Sequence, residues 1–459
     1  MLGRDSFTSL SLSLKATFFL ILLFPSGVWS EVFNPSSFTL KNGLQVFIVS
    51  QKRSPVVNHS LWFKVGAADD PLGKSGLAHF LEHLRIKGGA KTYKPLEFPK
   101  KIMRMGGEGN AYTTHDYTYY TFQVSKDNLE KLMALESDRF ENLQITDDLM
   151  ESERRVILEE RRMTIETNPF DQLNESAMAA FYTHHPYGTP ILGWKNEIEK
   201  ITKADTVNFL KKWYMPSNAV LTLVGDITLE EAQTLAEKYY GHLPKDSKPE
   251  RRWVKEPIHH GTTQEVVLKS PSSPGILFEV FYDAPNLKSV PAKDAYALQI
   301  FSKILTGSSN AELYKALIKN QKLAQWVSSR YSPGLRSPSP FRISIGAIWA
   351  HELPKLESTL QAELSRIITQ GVTHEAVERA KQILLRSVVY EKESLADISE
   401  NIGLTIMSER SIQSLESWPE NIKNVTRHDV NSVIRKVFGS PPRIVAKGLK
   451  SSEPSGTLE

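Results

Sequence analysis

The run GLAHFLEHL, Gly76 to Leu84, sets His79, Glu82 and His83 among apolar residues. On a helix, positions 79 and 83 are i and i+4. Both imidazoles then project from one face, and their nitrogens can reach one ion at about 2.0 to 2.1 Å. Glu82 precedes the second histidine by one residue. Its carboxylate falls beside such an ion, where a general base must sit to take a proton from a water held there. The order is that of an HExxH helix reversed, and the chemistry it offers is the same metal-assisted hydrolysis. The chain has no cysteine, which excludes thiolate ligands, cysteine nucleophiles and disulfides and leaves His, Asp and Glu to hold a transition metal.

Two histidines need a third protein ligand, with a fourth position left open. The run ESERRVILEERRM offers Glu151, Glu153, Glu159 and Glu160. Glu153 and Glu160 are two helical turns apart and share a face. Glu153 could instead pair with Arg154 or Arg161 at the surface. His115, His184, His185, His259 and His260 read as surface or loop histidines.

The elements that must position these residues occur twice. Trp194, Ile198, Thr202 and Asp205 recur as Trp418, Ile422, Thr426 and Asp429, an offset of 224. Thr146 and Thr373 open two further helical runs at an offset of 227, which pairs Glu153 with Ala380 and Glu160 with Ser387. The second copy has no HxxEH, so the chemistry is confined to the first. LQVFIVS, HSLWFKV, YYTFQV, NAVLTLVGD and PRIVAKG read as strands between helices without regular alternation. The expected class is α+β: two homologous domains, each a mostly antiparallel sheet with helices packed on it, with a cleft or chamber between them. Their expected extents are 31–245 and 263–459, joined by a Pro-rich, charged linker at 246–262.

At 459 residues with 40% hydrophobic and 24% charged positions, the chain is globular by composition. A net charge of +4 with interspersed signs excludes a nucleic-acid-tracking surface. Residues 1–30 read as a signal peptide: Arg4 and Lys15 precede the apolar block Ala16 to Phe24, and Val28 and Ser30 suit cleavage after Ser30. That block falls short of the roughly 20 residues a membrane span needs. No stable span is expected after cleavage. Export to a bacterial periplasm is expected, where a chain without thiols has nothing to mispair.

With these residues in view, the chain resembles the pitrilysin/insulinase family of inverted-motif zinc peptidases, which includes the mitochondrial processing peptidase. The likeness rests on HFLEH, GGEGNAYTTHDYTYY (Gly106 to Tyr120), ERRVILEE and HPYGTPILGW (His185 to Trp194). It implies one zinc per chain, Glu160 as the third ligand with Glu159 its rival, and Glu153 supporting the site. It also implies that Asn110 and Ala111 lie on an edge strand whose backbone pairs with an extended peptide substrate. Members that act alone resemble LRxxxGLAY in the second half, whereas this chain reads LIKNQKLAQ, with Ile318, Lys322 and Gln325 at the arginine, glycine and tyrosine positions. The expected function is therefore a zinc endopeptidase acting on unstructured peptides or protein segments. Within it, this chain is the metal-bearing subunit of a heterodimer whose homologous partner supplies the Arg/Tyr pair. The alternative is a non-catalytic structural or peptide-binding subunit of the same fold. Arg85 stands where the resemblance implies an apolar residue, and the sequence offers no account of it.

Overall fold

The computed structural model describes residues 32–251, 254–257, 259–289 and 291–451, so the expected signal peptide lies outside the described residues. In the first module, β1 (Ser36–Thr39), β2 (Gln45–Ser50), β3 (Val56–Phe63), β4 (Glu108–Thr113), β5 (Thr118–Ser125) and β6 (Ala219–Gly225) form a sheet of order β1-β2-β6-β3-β5-β4. In the second, β7 (Gln264–Ser270), β8 (Ile276–Tyr282), β9 (Ala324–Arg330), β10 (Phe341–Ala347) and β11 (Ile444–Lys450) follow the order β7-β11-β8-β10-β9. Among the described residues β2 with β6 and β7 with β11 pair in parallel and the other strand pairs are antiparallel. Leaving out β1, the two orders correspond strand for strand, so the duplication read in the sequence is a duplication of topology.

The first module's helices are α1 (Leu77–Lys87), α2 (Glu97–Arg104), α3 (Lys126–Asn142), α4 (Asp147–Arg161), α5 (Pro169–Phe181), α6 (Lys195–Ile198), α7 (Lys203–Trp213) and α8 (Leu229–Tyr240). The second module's are α9 (Lys293–Thr306), α10 (Leu353–Gln370), α11 (His374–Glu391), α12 (Leu395–Met407), α13 (Ile412–Glu416), α14 (Trp418–Lys423) and α15 (Arg427–Phe438). Repeated residues recur because they do the same local work. Thr202 and Asp205 form a capping box at the start of α7, and Thr426 and Asp429 form one at α15. Thr146 and Thr373 cap α4 and α11 through their hydroxyls. Arg154 on α4 donates to the carbonyls of Ile198 and Ile201, while Lys381 on α11 donates to that of Lys423. Each cation closes the end of the short helix that follows.

Strands buried on both faces need cover on both. Val46 and Ile48 of β2 enter the core formed with the module's own helices, whereas Phe47 and Val49 point the other way and pack against Ile398 and Ile402 of α12. Reciprocally, Leu173, Ala177 and Phe181 of α5 pack on Leu277, Phe281, Ile444 and Ala446 of the second sheet. Helices α5 and α12 are both 13 residues long and hold corresponding places in the two copies. Each therefore covers the other copy's sheet. On α12, Gly403 lies against the Trp62 ring so closely that an added Cβ would come within 2.2 Å of it. Residues 32–34 are also tied across: Glu416 of α13 accepts from the backbone N–H groups of Val32, Phe33 and Asn34.

Candidate metal centre

Helix α1 begins where Asp70 accepts from the backbone N–H groups of Gly76 and Ala78, both at 2.8 Å. Gly76 has φ +83°, and a Cβ there would meet the Leu192 carbonyl at 2.4 Å. The turn 185–194 is thus what seats the start of α1, and only glycine fits at that contact. Leu77, Phe80, Leu81 and Leu84 face the core, which turns His79, Glu82 and His83 toward α4 and β4.

Ligand atoms of His79, Glu82 and His83 all lie within 4.8 Å of one another. Glu160, in the last turn of α4, completes the convergence: its two oxygens lie 3.8 Å from His79 Nε2 and 3.4 Å from His83 Nε2. Glu159 turns away and pairs with Arg162 at 2.8 and 2.6 Å. Glu153, two turns earlier, is 2% exposed and accepts from His83 Nδ1 (3.1 Å) and Lys87 Nζ (2.7 Å). It pairs with neither Arg154 nor Arg161. Arg154 is engaged as described, and Arg161 donates to Glu175 and the Gly193 carbonyl.

The electrostatics divide these groups. Burial, with His83 alongside, lowers the pKa of His79 to about 4 and leaves its ring neutral, with a lone pair to give. Burial also works against a charged His83, but hydrogen bonds to Glu153 and Glu160 outweigh it and hold its pKa at about 9. Burial pushes the Glu82 carboxyl up, opposed by a hydrogen bond from Thr113. Glu160 is held below the usual carboxylate range, chiefly by its hydrogen bond to His83. Two imidazoles and one ionised carboxylate, converging with no thiolate nearby, fit the donor set of a zinc ion, whose binding displaces the proton that His83 otherwise holds against Glu160.

Thr113 is a residue the sequence reading missed. Its hydroxyl donates to Glu82 Oε2 at 2.6 Å, which anchors that oxygen of the carboxylate. The AYTT run carried the signal, since Thr113 shares β4 with Ala111. β4 is one of the two edge strands of its sheet, paired among the described residues with β5, and it carries Asn110 and Ala111. The N–H of Ala111 is held by the Asn110 side chain at 2.9 Å. Beside this strand opens a cleft of about 510 Å³ whose walls include Glu82, His83, Phe98, Ile102, Met103 and Phe122. All of its lining comes from the first module, so this cleft is not the inter-domain chamber expected from the sequence.

Two of the histidines read as surface or loop residues lie in loops but turn inward. His185 is buried rather than superficial, its Nδ1 accepting from the Tyr187 N–H and its Nε2 bonded to Ser337 of the second module. His115 is half-buried, with Nε2 bonded to the Thr189 carbonyl at 2.9 Å. Lys322 has φ +53°, the left-handed backbone that suits the glycine of the resembled motif.

Comparison with known proteins follows the same division. The insulinase (peptidase family M16) model matches residues 45–195 and the peptidase M16 inactive-domain model matches 200–384. The chain belongs to peptidase family M16. The inactive-domain match contains none of the four converging residues. Among M16 relatives, the zinc protease PqqE of Helicobacter pylori is 29% identical over 88% of this chain and 90% of its own. The mitochondrial-processing peptidase beta subunit of Neurospora crassa is 26% identical over 87% and 84%. A protease of Helicobacter pylori superposes with a TM-score of 0.83 at 27% identity, covering 90% of this chain and 99% of that one. An M16 inactive-domain protein of Pseudomonas fluorescens shares the fold, with a TM-score of 0.81 at 19% identity over 93% and 100%.

Proposed function

We propose that this M16 chain is a zinc-dependent endopeptidase in which His79, His83 and Glu160 hold one zinc ion and Glu82 is the catalytic base. The convergence of both Glu160 oxygens on the Nε2 atoms of His79 and His83 carries this reading. The two nearby carboxyls are pushed in opposite directions, which suits the depressed Glu160 to an anionic ligand and the raised Glu82 to proton transfer. A zinc ion bound there supplies Lewis acidity, lowering the pKa of a water to about 7 and polarising a carbonyl. Glu82, steadied by Thr113, accepts the proton of the attacking water on Oε1 and delivers it to the leaving amine. Glu153 orients His83 through Nδ1. An extended peptide adds to the free edge of β4 at Asn110 and Ala111, and the Ala111 N–H exchanges its side-chain partner for the peptide carbonyl.

Substrates are unstructured peptides or segments, with an apolar side chain seated in the cleft beside Phe98, Ile102 and Met103. A homologous partner subunit supplies the arginine and tyrosine that Ile318 and Gln325 replace. Residues 1–30 act as a leader, 246–262 join modules 31–245 and 263–459, and the mature chain works in a bacterial periplasm. Among the described residues no helix is long and apolar enough to cross a membrane. The test is direct. Glu82→Gln is expected to keep stoichiometric zinc and lose peptide cleavage, and His83→Ala to lose both. A Glu82→Gln protein that still cleaves would remove the base. Full turnover by the chain alone, running as a monomer, would remove the partner.

A further inference from the structure

Arg85 lies two residues beyond His83, about 200° around α1, so it faces the interior while His83 faces the cleft. It is 1% exposed, and Glu136 and Arg139 of α3 are both fully buried. Its guanidinium lies 4.3 Å from the Tyr120 ring centroid and 5.0 Å from that of Phe63, with Glu136 Oε2 at 3.7 Å. Arg139 pairs with Glu136 and donates to the Arg85 carbonyl at 3.2 Å. That carbonyl belongs to the last turn of α1. The same few groups thus grip the end of α1 by its backbone and by its side chain. The stack reaches the substrate side as well, because Tyr120 of β5 is the ladder partner of Ala111 on β4.

Glu136 and Arg139 already balance one another, so Arg85 adds a second cation to a closed interior. Stability alone does not call for it, since apolar residues of similar volume often replace buried ionic triads at no loss. What a planar, stacked, charged group does supply is one fixed orientation. We infer that Arg85 is a positioning residue, setting the rotation of α1 against β5 so that His79, Glu82 and His83 meet Glu160 and the edge strand in register. This rests on the metal-centre reading above.

The test compares zinc affinity, the absorption spectrum of the cobalt(II)-loaded protein, and unfolding by urea. Arg85→Leu is expected to keep or raise the urea midpoint, because Glu136 stays paired with Arg139. It is also expected to weaken zinc binding at least 10-fold, in the range that follows loss of groups orienting metal ligands, and to change the cobalt spectrum. Should Arg85→Leu not fold, Arg85→Lys keeps the charge without the planar stack and carries the same expectation for zinc and cobalt. Unchanged zinc affinity and cobalt spectrum in the folded variant overturn the inference. So does a loss of zinc that only parallels a loss of fold. An unaltered protein that binds no zinc overturns the metal-centre reading instead.

Discussion

Lys87 and His83 donate to the same Glu153 oxygen from successive turns of α1, so this buried carboxylate fixes the ring whose other nitrogen faces Glu160. Glu153→Gln keeps the shape and weakens both bonds. Zinc affinity, read by chelator competition, is expected to fall 10- to 100-fold with the fold intact. An unchanged affinity would make Glu153 merely an ion-pair partner of Lys87. A second expectation concerns His59, which is fully buried against Tyr240 Oη and whose pKa burial lowers to about 4. The unfolded chain takes this proton near pH 6.5, whereas the folded chain resists it until about 4. The contribution is therefore present above pH 6.5 and lost as pH falls through that window, about 3 kcal/mol in all. Urea midpoints of the protein and of His59→Asn should converge between those pH values, and parallel curves would sink the assignment. The histidine spacing made the donor pair legible in sequence. Arg85 was visible only as a departure from an apolar position and Glu136 not at all, because a charge in a helical pattern shows no partner until the rings that stack on it are in place. The choice of Glu160 over Glu159 needed the family resemblance, since neighbouring helix positions differ only in direction.

Strand and helix starts were legible for local reasons: hydroxyl caps, capping boxes and β-branched runs act within a few residues. Which sheet a helix covers is not local. The apolar faces of α5 and α12 declare that each is buried, but the same stripe would suit either sheet. The seat of α12 depends on Gly403 lying flat against Trp62. Gly403→Val is expected to lower stability by about 1 to 3 kcal/mol in urea. It should also speed hydrogen exchange in β3 and β6, the strands α12 covers, more than in β8 and β10. Uniform acceleration across both sheets would mean that α12 opens only with the whole protein.

At the scale of the whole chain, each copy builds a core with its own helices but leaves the other face of its sheet to the other copy. Fragment 31–245 keeps α5 without the sheet it covers and lacks the helix that covers its own sheet, and fragment 263–459 is in the mirrored position. Expressed alone, each is expected to aggregate or give collapsed NMR spectra, whereas co-expression should restore a folded, zinc-binding complex. Sharp, dispersed spectra from either fragment by itself would contradict the exchange. Repetition was legible here, and mutual dependence was not, because internal similarity suggests separable domains. The exchange of α5 and α12 has the form of a domain-swapped dimer whose two subunits have been joined end to end. Two copies in one chain have separate codons for equivalent contacts. The copy that carries Ala380 and Ser387 in place of Glu153 and Glu160 therefore still contributes its helix α12 to cover the sheet of the copy that bears those glutamates.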